Sequence, residues 1–350
     1  MDAAAFGRPF SRFVKVFPMR RNLLLALTLA ASIHAAPALA WGGRGHAVID
    51  HAALDALPED GPVFLRKYAE FIGEEAGAPD SWRSSSEPFS KIDEDPNHTW
   101  FVERLQFLKP VPRSRYAFVL ALYREHERVR KIDPKAAERL NVRWTGTMPY
   151  AIMEGYGRIV AGMRSLRWKR MRGEPTANIE QTLAFYTAWM SHYIGDGTQP
   201  HHVSIHCEGW VGPNPKGYAT GGGIHGAFEI GYADAIDLQP ENFAKRIGAP
   251  ARQEGDLFEH VLTFLNESNA DVETIFDLDK RKVLADPKSR EGRDFVYRRS
   301  AAGAAMLRDL LVRAWTESAK PGEGDPRPQD PANPNYDPET GSAPAPAPVR

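Results

Sequence analysis

Along much of this chain, apolar residues recur at intervals of three and four. That spacing gathers side chains on one face of an α-helix. Between Trp41 and Leu57 the positions are Val48, Ile49, Ala52, Leu54 and Leu57. Arg115 to Lys131 carries Phe118, Val119, Leu122 and Tyr123 before it turns charged. Pro149 to Leu166 carries Ile152, Tyr156, Ile159, Val160 and Met163. Ile179 to Ile194 carries Leu183, Phe185, Tyr186, Met190 and Ile194. Leu257 to Ile275 and Arg293 to Trp315 repeat the pattern. No segment sustains the alternation of a strand with hairpin turns, and there is no internal repeat or heptad run. The pattern predicts an all-α, single multi-helix domain. Cys207 to Gly223, full of Gly, Pro and Asn, interrupts it and reads as a loop.

The two ends follow other rules. Met19-Arg20-Arg21 is a basic start, Leu23 to Ile33 a short apolar run, and Ala38-Leu39-Ala40 offers small residues to a signal peptidase. This three-part arrangement is that of a secretory signal, and its apolar run is too short for a permanent membrane helix. Residues 1–40 are therefore expected to be removed, sending the mature chain to the periplasm or outside, with no membrane span left. Translation from Met19 would give the more conventional signal. From about Lys320 the chain is dense in Pro, Asp, Asn and Gly and ends in an Ala-Pro repeat. Such a segment buries too little apolar surface to offset its ordering entropy. Residues 319–350 are expected to be a disordered tail and 41–318 the folded domain.

Charge and cysteine content narrow the picture. The chain holds 44 basic and 45 acidic residues; the first 40 account for five and one, leaving 39 and 44 and a formal charge of −5. No basic excess advertises nucleic-acid binding. The single cysteine, Cys207, rules out a disulfide within the chain, so an exported protein of this size needs another tie, a large helical core or bound metal. Cys207 itself, among His202 and His206, reads as a free, partly buried thiol, with a metal role as the alternative.

Candidate chemistry lies in spaced clusters. His192 and Asp196 stand four apart near the end of an expected helix and so share a face. Gln199-Pro200 breaks that helix, and His201-His202 follow. His225 and Glu229 repeat the four-residue spacing beyond the Gly-rich loop. Asp80 and His98 sit in loop-like sequence rich in Ser and Pro, and His46 lies five residues after the expected cleavage point. Any one pair is ordinarily a helix-stabilising contact. The set matters because His, Asp and Glu are the zinc donors of hydrolytic sites.

In these motifs the chain resembles the zinc-dependent phospholipase C and S1/P1 nuclease superfamily. They are Trp41-Gly-Gly-Arg-Gly-His46, Asp80 in Pro-Asp-Ser-Trp-Arg, His98, His192-Tyr-Ile-Gly-Asp196-Gly-Thr-Gln-Pro-His-His202 and His225-x-x-x-Glu229. The resemblance covers Trp41 to about Asp234, and it implies an all-helical phospholipase C/P1 nuclease-like domain with a trinuclear zinc cleft. Asp80, His98, His192 and Asp196 would hold one zinc. His202, His225 and Glu229 would hold a second, exposed one. The α-amino nitrogen and carbonyl oxygen of Trp41, with His46 and a bridging Asp196, would hold the third, so that signal cleavage creates the site. Asp80 would orient or deprotonate the attacking water. The spacing favours His202 over His201. His51, His126, His206 and His260 read as surface or structural, Trp189 and Tyr193 as core or cleft wall, and Arg83 as a surface arginine, with contact to phosphate as its alternative.

The resemblance implies a phosphodiester substrate and divides over which. His192-Tyr193 and Glu229 resemble the phospholipases, while Trp-Gly-x-x-Gly-His resembles the nucleases. A phospholipase C-like hydrolase is the preferred reading, an S1/P1-type nuclease acting on single-stranded nucleic acid the alternative, and a non-catalytic periplasmic metal-binding protein the alternative of another class. Trp210 and Tyr218 in the loop either stack on substrate or pack into the loop's own core. No protein partner is inferred.

Overall fold

Helix boundaries follow local chemistry. The computed structural model describes residues 42–251, 254–320, 329–333 and 336–343, all within the compact unit Pro37–Arg350. The expected signal segment, the residue Trp41 and much of the expected tail lie outside the described residues. The principal helices are α1 (Gly42–Asp55), α2 (Ala69–Glu75), α3 (Ala78–Ser81), α4 (Pro88–Glu94), α5 (Arg115–Arg130), α6 (Met148–Met171), α7 (Ala177–Thr198), α8 (Leu257–Asn269), α9 (Val272–Lys280) and α10 (Arg290–Glu317). Short helical turns join them. Among the described residues there is no strand; the bridges Trp100–Gly146 and Asp337–Ser342 are isolated. The chain is all-α there.

Starts and stops have visible causes. The Ser114 hydroxyl accepts from the Ala117 amide at α5, Asp256 from Phe258 and Glu259 at α8, and Ser289 from Gly292 at α10. Each satisfies an amide left over by the first helical turn. Helix α7 stops at Thr198 because Gln199 turns extended, φ −91° and ψ 116°, as the residue before a proline prefers.

Two expectations need correction. The stretch from Leu257 to Ile275 is two helices. Asn269 Nδ2 donates to Glu103 at 2.8 Å and to the Val203 carbonyl at 2.9 Å, while Asp271 pairs with Arg298 and Arg299. These tertiary bonds fix the break that two poor helix formers allow. The Ser- and Pro-rich region around Asp80 and His98 is also helical rather than loop. Pro79, Pro88 and Pro96 each open a short helix or 3₁₀ turn, where a missing amide proton costs nothing.

Helix α7 is central. From Thr187 to Thr198 every residue is buried, and α1, α2, α6, α8 and α10 all pack against it. A Cβ at Gly155 of α6 would come within 2.8 Å of Met190 Cβ, so glycine there lets α6 and α7 approach closely. Ile49, Phe118, Met148, Ile152, Met190, Leu265 and Leu310 fill the surrounding core. In the expected tail, residues 336–343 turn back on themselves, Glu339 pairs with Arg124, and Ala343 is buried.

Candidate metal centre

Helix α7 delivers the middle of the centre. His192 and Asp196, one turn apart, are both fully buried. Helix α1 lays His46 beside them, with its ring stacked on His192 at a centroid distance of 4.4 Å. Gly195 permits this, since a Cβ there would meet His46 Nδ1 at 2.4 Å. Helix α3 contributes Asp80, and the 3₁₀ turn Asp95–His98 contributes His98. Past the end of α7, the turn Pro200–Val203 presents His202. The sequence beyond the Gly-rich loop presents His225 and, from a wider π-helical turn at Ala227–Tyr232, Glu229.

The donors converge in two groups. In the first, His98 Nδ1 lies 3.0 Å from Asp196 Oδ2 and 3.0 Å from His192 Nε2. Asp80 Oδ1 is 3.7 Å from His98 Nδ1 and 4.0 Å from His192 Nε2. The other oxygen of Asp196, Oδ1, is 3.5 Å from His46 Nε2, so one carboxylate faces both His46 and the His98–His192 pair. In the second group, His202 Nε2 and His225 Nε2 are 3.0 Å apart. Glu229 Oε2 lies 3.4 Å from the former and 3.1 Å from the latter. The resemblance implies an exposed second ion, yet His202, His225 and Glu229 are only 3%, 6% and 0% exposed. Seven of the side chains expected as ligands are thus assembled in two groups, His46 stands against the first, and Trp41 lies outside the described residues.

Bonds at the back of each ring show which nitrogen faces inward. His192 Nδ1 donates to the Ala76 carbonyl at 2.7 Å and His202 Nδ1 to the His98 carbonyl at 2.7 Å. A carbonyl only accepts, so each Nδ1 carries the proton and each Nε2 presents a lone pair. His98 Nε2 lies 3.1 Å from Glu94 and His225 Nδ1 3.1 Å from Glu208. Imidazoles held from behind by a carboxylate or carbonyl are characteristic of metal ligands. With neutral rings, lone pairs of His192, His98 and Asp196 confront one another at 3.0–3.5 Å. A cation between them turns that repulsion into attraction.

Electrostatics keep the carboxylates of Asp196 and Glu229 charged. Burial lowers the pKa values of His46, His98 and His225, but Asp196 beside the first two and Glu229 beside the third outweigh it and raise them, so these rings hold protons that a bound cation would displace. Burial pushes the Asp196 carboxyl up, but His202, His192 and the other facing imidazoles outweigh it and hold the group well below the usual carboxylate range. Burial likewise opposes charge on Glu229, and His225 and His202 reverse it. For His192 burial dominates and keeps the ring neutral. Both nitrogens of His46, Asp196 Oδ1 and Glu229 Oε1 are buried without a hydrogen-bond partner. Such orphans cost about 1–3 kcal/mol each unless something satisfies them. Anionic carboxylates, inward lone pairs and unsatisfied atoms all fit divalent cations.

His201 does not compete. Its ring is buried against Phe228 and Phe276 and both nitrogens lack partners, whereas His202 faces Glu229. Arg83 is less peripheral than its sequence suggests: it is 30% exposed and bridges Asp80 and Asp95 at 3.2 and 3.1 Å. Trp210 and Tyr218 pack with His206 and against Phe276 of α9.

Several residues escaped the sequence reading. Glu94 backs His98 and accepts from the Tyr193 hydroxyl. Gln199 Nε2 donates to Glu229 at 2.9 Å. Asp50, one turn along α1 from His46, is buried and accepts from Ser191. Glu94 and His98 carry the same four-residue spacing as His192 and Asp196, and that signal was available. Comparison of the chain with protein-family models, curated proteins and solved structures found no match in any of the three.

Proposed function

We propose that this chain is an exported zinc-dependent phosphodiesterase of the phospholipase C/P1 nuclease type. The observation that carries the reading is one carboxylate, Asp196, facing both His46 and the His98–His192 pair, next to the separate His202–His225–Glu229 triad. The donor set, all nitrogen and carboxylate oxygen, favours zinc among available cations. Export, cleavage before Trp41 and a third ion at the new amino terminus belong to the same proposal.

Divalent cations in such a centre supply Lewis acidity toward a phosphoryl oxygen and a water made acidic near neutral pH. The chain supplies position and proton transfer. Arg83 holds one oxygen of Asp80 from outside, and His98 and His192 face it from inside. Burial and neighbouring Asp196 raise the Asp80 pKa against the opposing pull of His98, His46 and Arg83. A carboxylate of raised basicity suits the task of taking the proton from an attacking water. Glu94 and the Ala76 carbonyl keep the His98 and His192 rings fixed while the substrate changes charge.

Glu229, where the nucleases generally carry aspartate, favours a glycerophospholipid head-group ester as substrate. The Trp41-Gly-Gly-Arg-Gly-His46 motif favours single-stranded nucleic acid as the second reading. The test is hydrolysis of phosphatidylcholine vesicles and of single-stranded DNA under identical zinc conditions, for wild type and Asp196→Asn. Wild type should hydrolyse at least one of them. Asp196→Asn should lose activity by more than the roughly 10–100-fold seen when only a supporting residue is changed. Zinc bound without hydrolysis of either substrate would instead mark a metal-binding protein.

A further inference from the structure

His225 faces two ways. Its Nε2 belongs to the buried triad with His202 and Glu229. On the opposite edge of the ring, Nδ1 lies 3.1 Å from Glu208 Oε1 and 3.4 Å from Cys207 Sγ. A neutral imidazole whose Nε2 is a lone pair has one proton at Nδ1. That proton satisfies one of these two neighbours. A thiol, a carboxylate and an imidazole nitrogen nevertheless gather with their ligating atoms within 4.8 Å of one another. The Cys207 thiol also donates to Glu208 Oε1 at 3.9 Å, so three donor types face one another around one point, an arrangement that a cation can replace by taking an atom from each. Access differs from the inner groups: the Glu208 side chain is 64% exposed and Cys207 is partly exposed.

We propose that Cys207 Sγ, Glu208 and His225 Nδ1 form an additional cation site, on the solvent side of the inner triad, for a thiophilic divalent ion such as zinc or cadmium. Sulfur with nitrogen and one carboxylate oxygen selects such ions over magnesium or calcium, and water completes the coordination. Binding releases the Cys207 thiol proton and the Nδ1 proton of His225 to solvent, since metal ligands must be deprotonated. The His225 ring then stands between an outer and an inner ion, so occupancy of the outer site is coupled to the inner triad. The site does not depend on whether the chain hydrolyses phosphodiesters.

The experiment is a cadmium titration of the purified full chain, read by the ultraviolet thiolate-to-cadmium charge-transfer band and by bound metal. The inner donors contain no sulfur, so the band reports the outer site alone. Wild type should develop a band that saturates with one thiolate per ion. Cys207→Ser should abolish the band and lower bound cadmium by one ion per chain. Glu208→Gln, a change on an exposed side chain, should weaken the site by roughly tenfold, and His225→Asn by more. No band in wild type would overturn the proposal. So would a band of unchanged affinity in both Glu208→Gln and His225→Asn, because the ion would then be held by an isolated surface thiol.

Discussion

The histidines of the centre are held from behind, and that support is where single substitutions are most informative. Glu94 touches His98 Nε2 and is 7% exposed. Glu94→Gln keeps the size and removes the charge. Metal affinity should fall by about 10–100-fold, measured by competition with a chelator, and an unchanged affinity would remove Glu94 from the supporting set. Asp50 offers a pH test. Burial raises its pKa to about 8, against the pull of His46 and the Ser191 hydroxyl. An unfolded carboxyl titrates near about 3.9, so the native state binds this proton more tightly. The associated stability is complete below the unfolded pKa and is lost as pH rises through the folded one. In metal-free protein, Asp50→Asn stays neutral. Its Tm relative to wild type should therefore rise between about pH 5 and about pH 8. An offset that does not change with pH would contradict this reading of Asp50.

Among elements, the meeting of α1 and α7 decides whether His46 can join the centre. Gly195→Ala places a Cβ 2.4 Å from His46 Nδ1. Overpacking of this kind costs about 1–3 kcal/mol, and it pushes His46 off Asp196. Both a lowered Tm and a loss of bound metal are expected; normal metal content would show that His46 has no part in binding. The break between α8 and α9 bears on the turn that presents His202. Asn269→Ala strands the buried carbonyl of Val203, the next residue after His202, and should cost about 1–3 kcal/mol, read by denaturant unfolding, together with a weaker metal affinity; an unchanged affinity would show that this bond does not position His202.

These elements also show what the sequence could and could not tell. His192 and Asp196 were legible because a regular helix turns a four-residue spacing into a shared face. Glu94 and His98 obey the same spacing, but Pro96 between them disguised two short helical turns as loop. Glu208 was invisible because a loop residue has no periodicity to place it. The Asn269 break depends on Glu103 and Val203, far away in the chain, and no local pattern contains that information. Asp50 was hidden for the same reason, its partner Ser191 lying on another helix.

At the scale of the molecule, the helices bury the donors, and none of the eight clustered side chains belongs to a residue more than 6% exposed. A surface cavity of about 870 Å³ is lined by Pro58, Pro250, Arg313, Trp315 and Glu317 and contains none of the clustered ligands. Chemistry locates the site. Among the described residues no helix is long and apolar enough to cross a membrane. The core is built around α7, so the same burial that stabilises the bundle also withdraws His192 and Asp196 from water. Metal binding and folding should then be linked, since an ion that binds only the native arrangement stabilises it by mass action. Chelator treatment should lower the Tm, and added zinc should restore it; a Tm indifferent to both would separate the centre from stability.

The most direct measurement is anomalous X-ray diffraction at the zinc edge from crystals of the chain beginning at Trp41. One peak is expected among Asp80, His98, His192 and Asp196, a second among His202, His225 and Glu229, and a third beside His46 and the amino group of Trp41. Crystals grown with zinc that show no peak within ligand distance of these side chains would contradict this assignment.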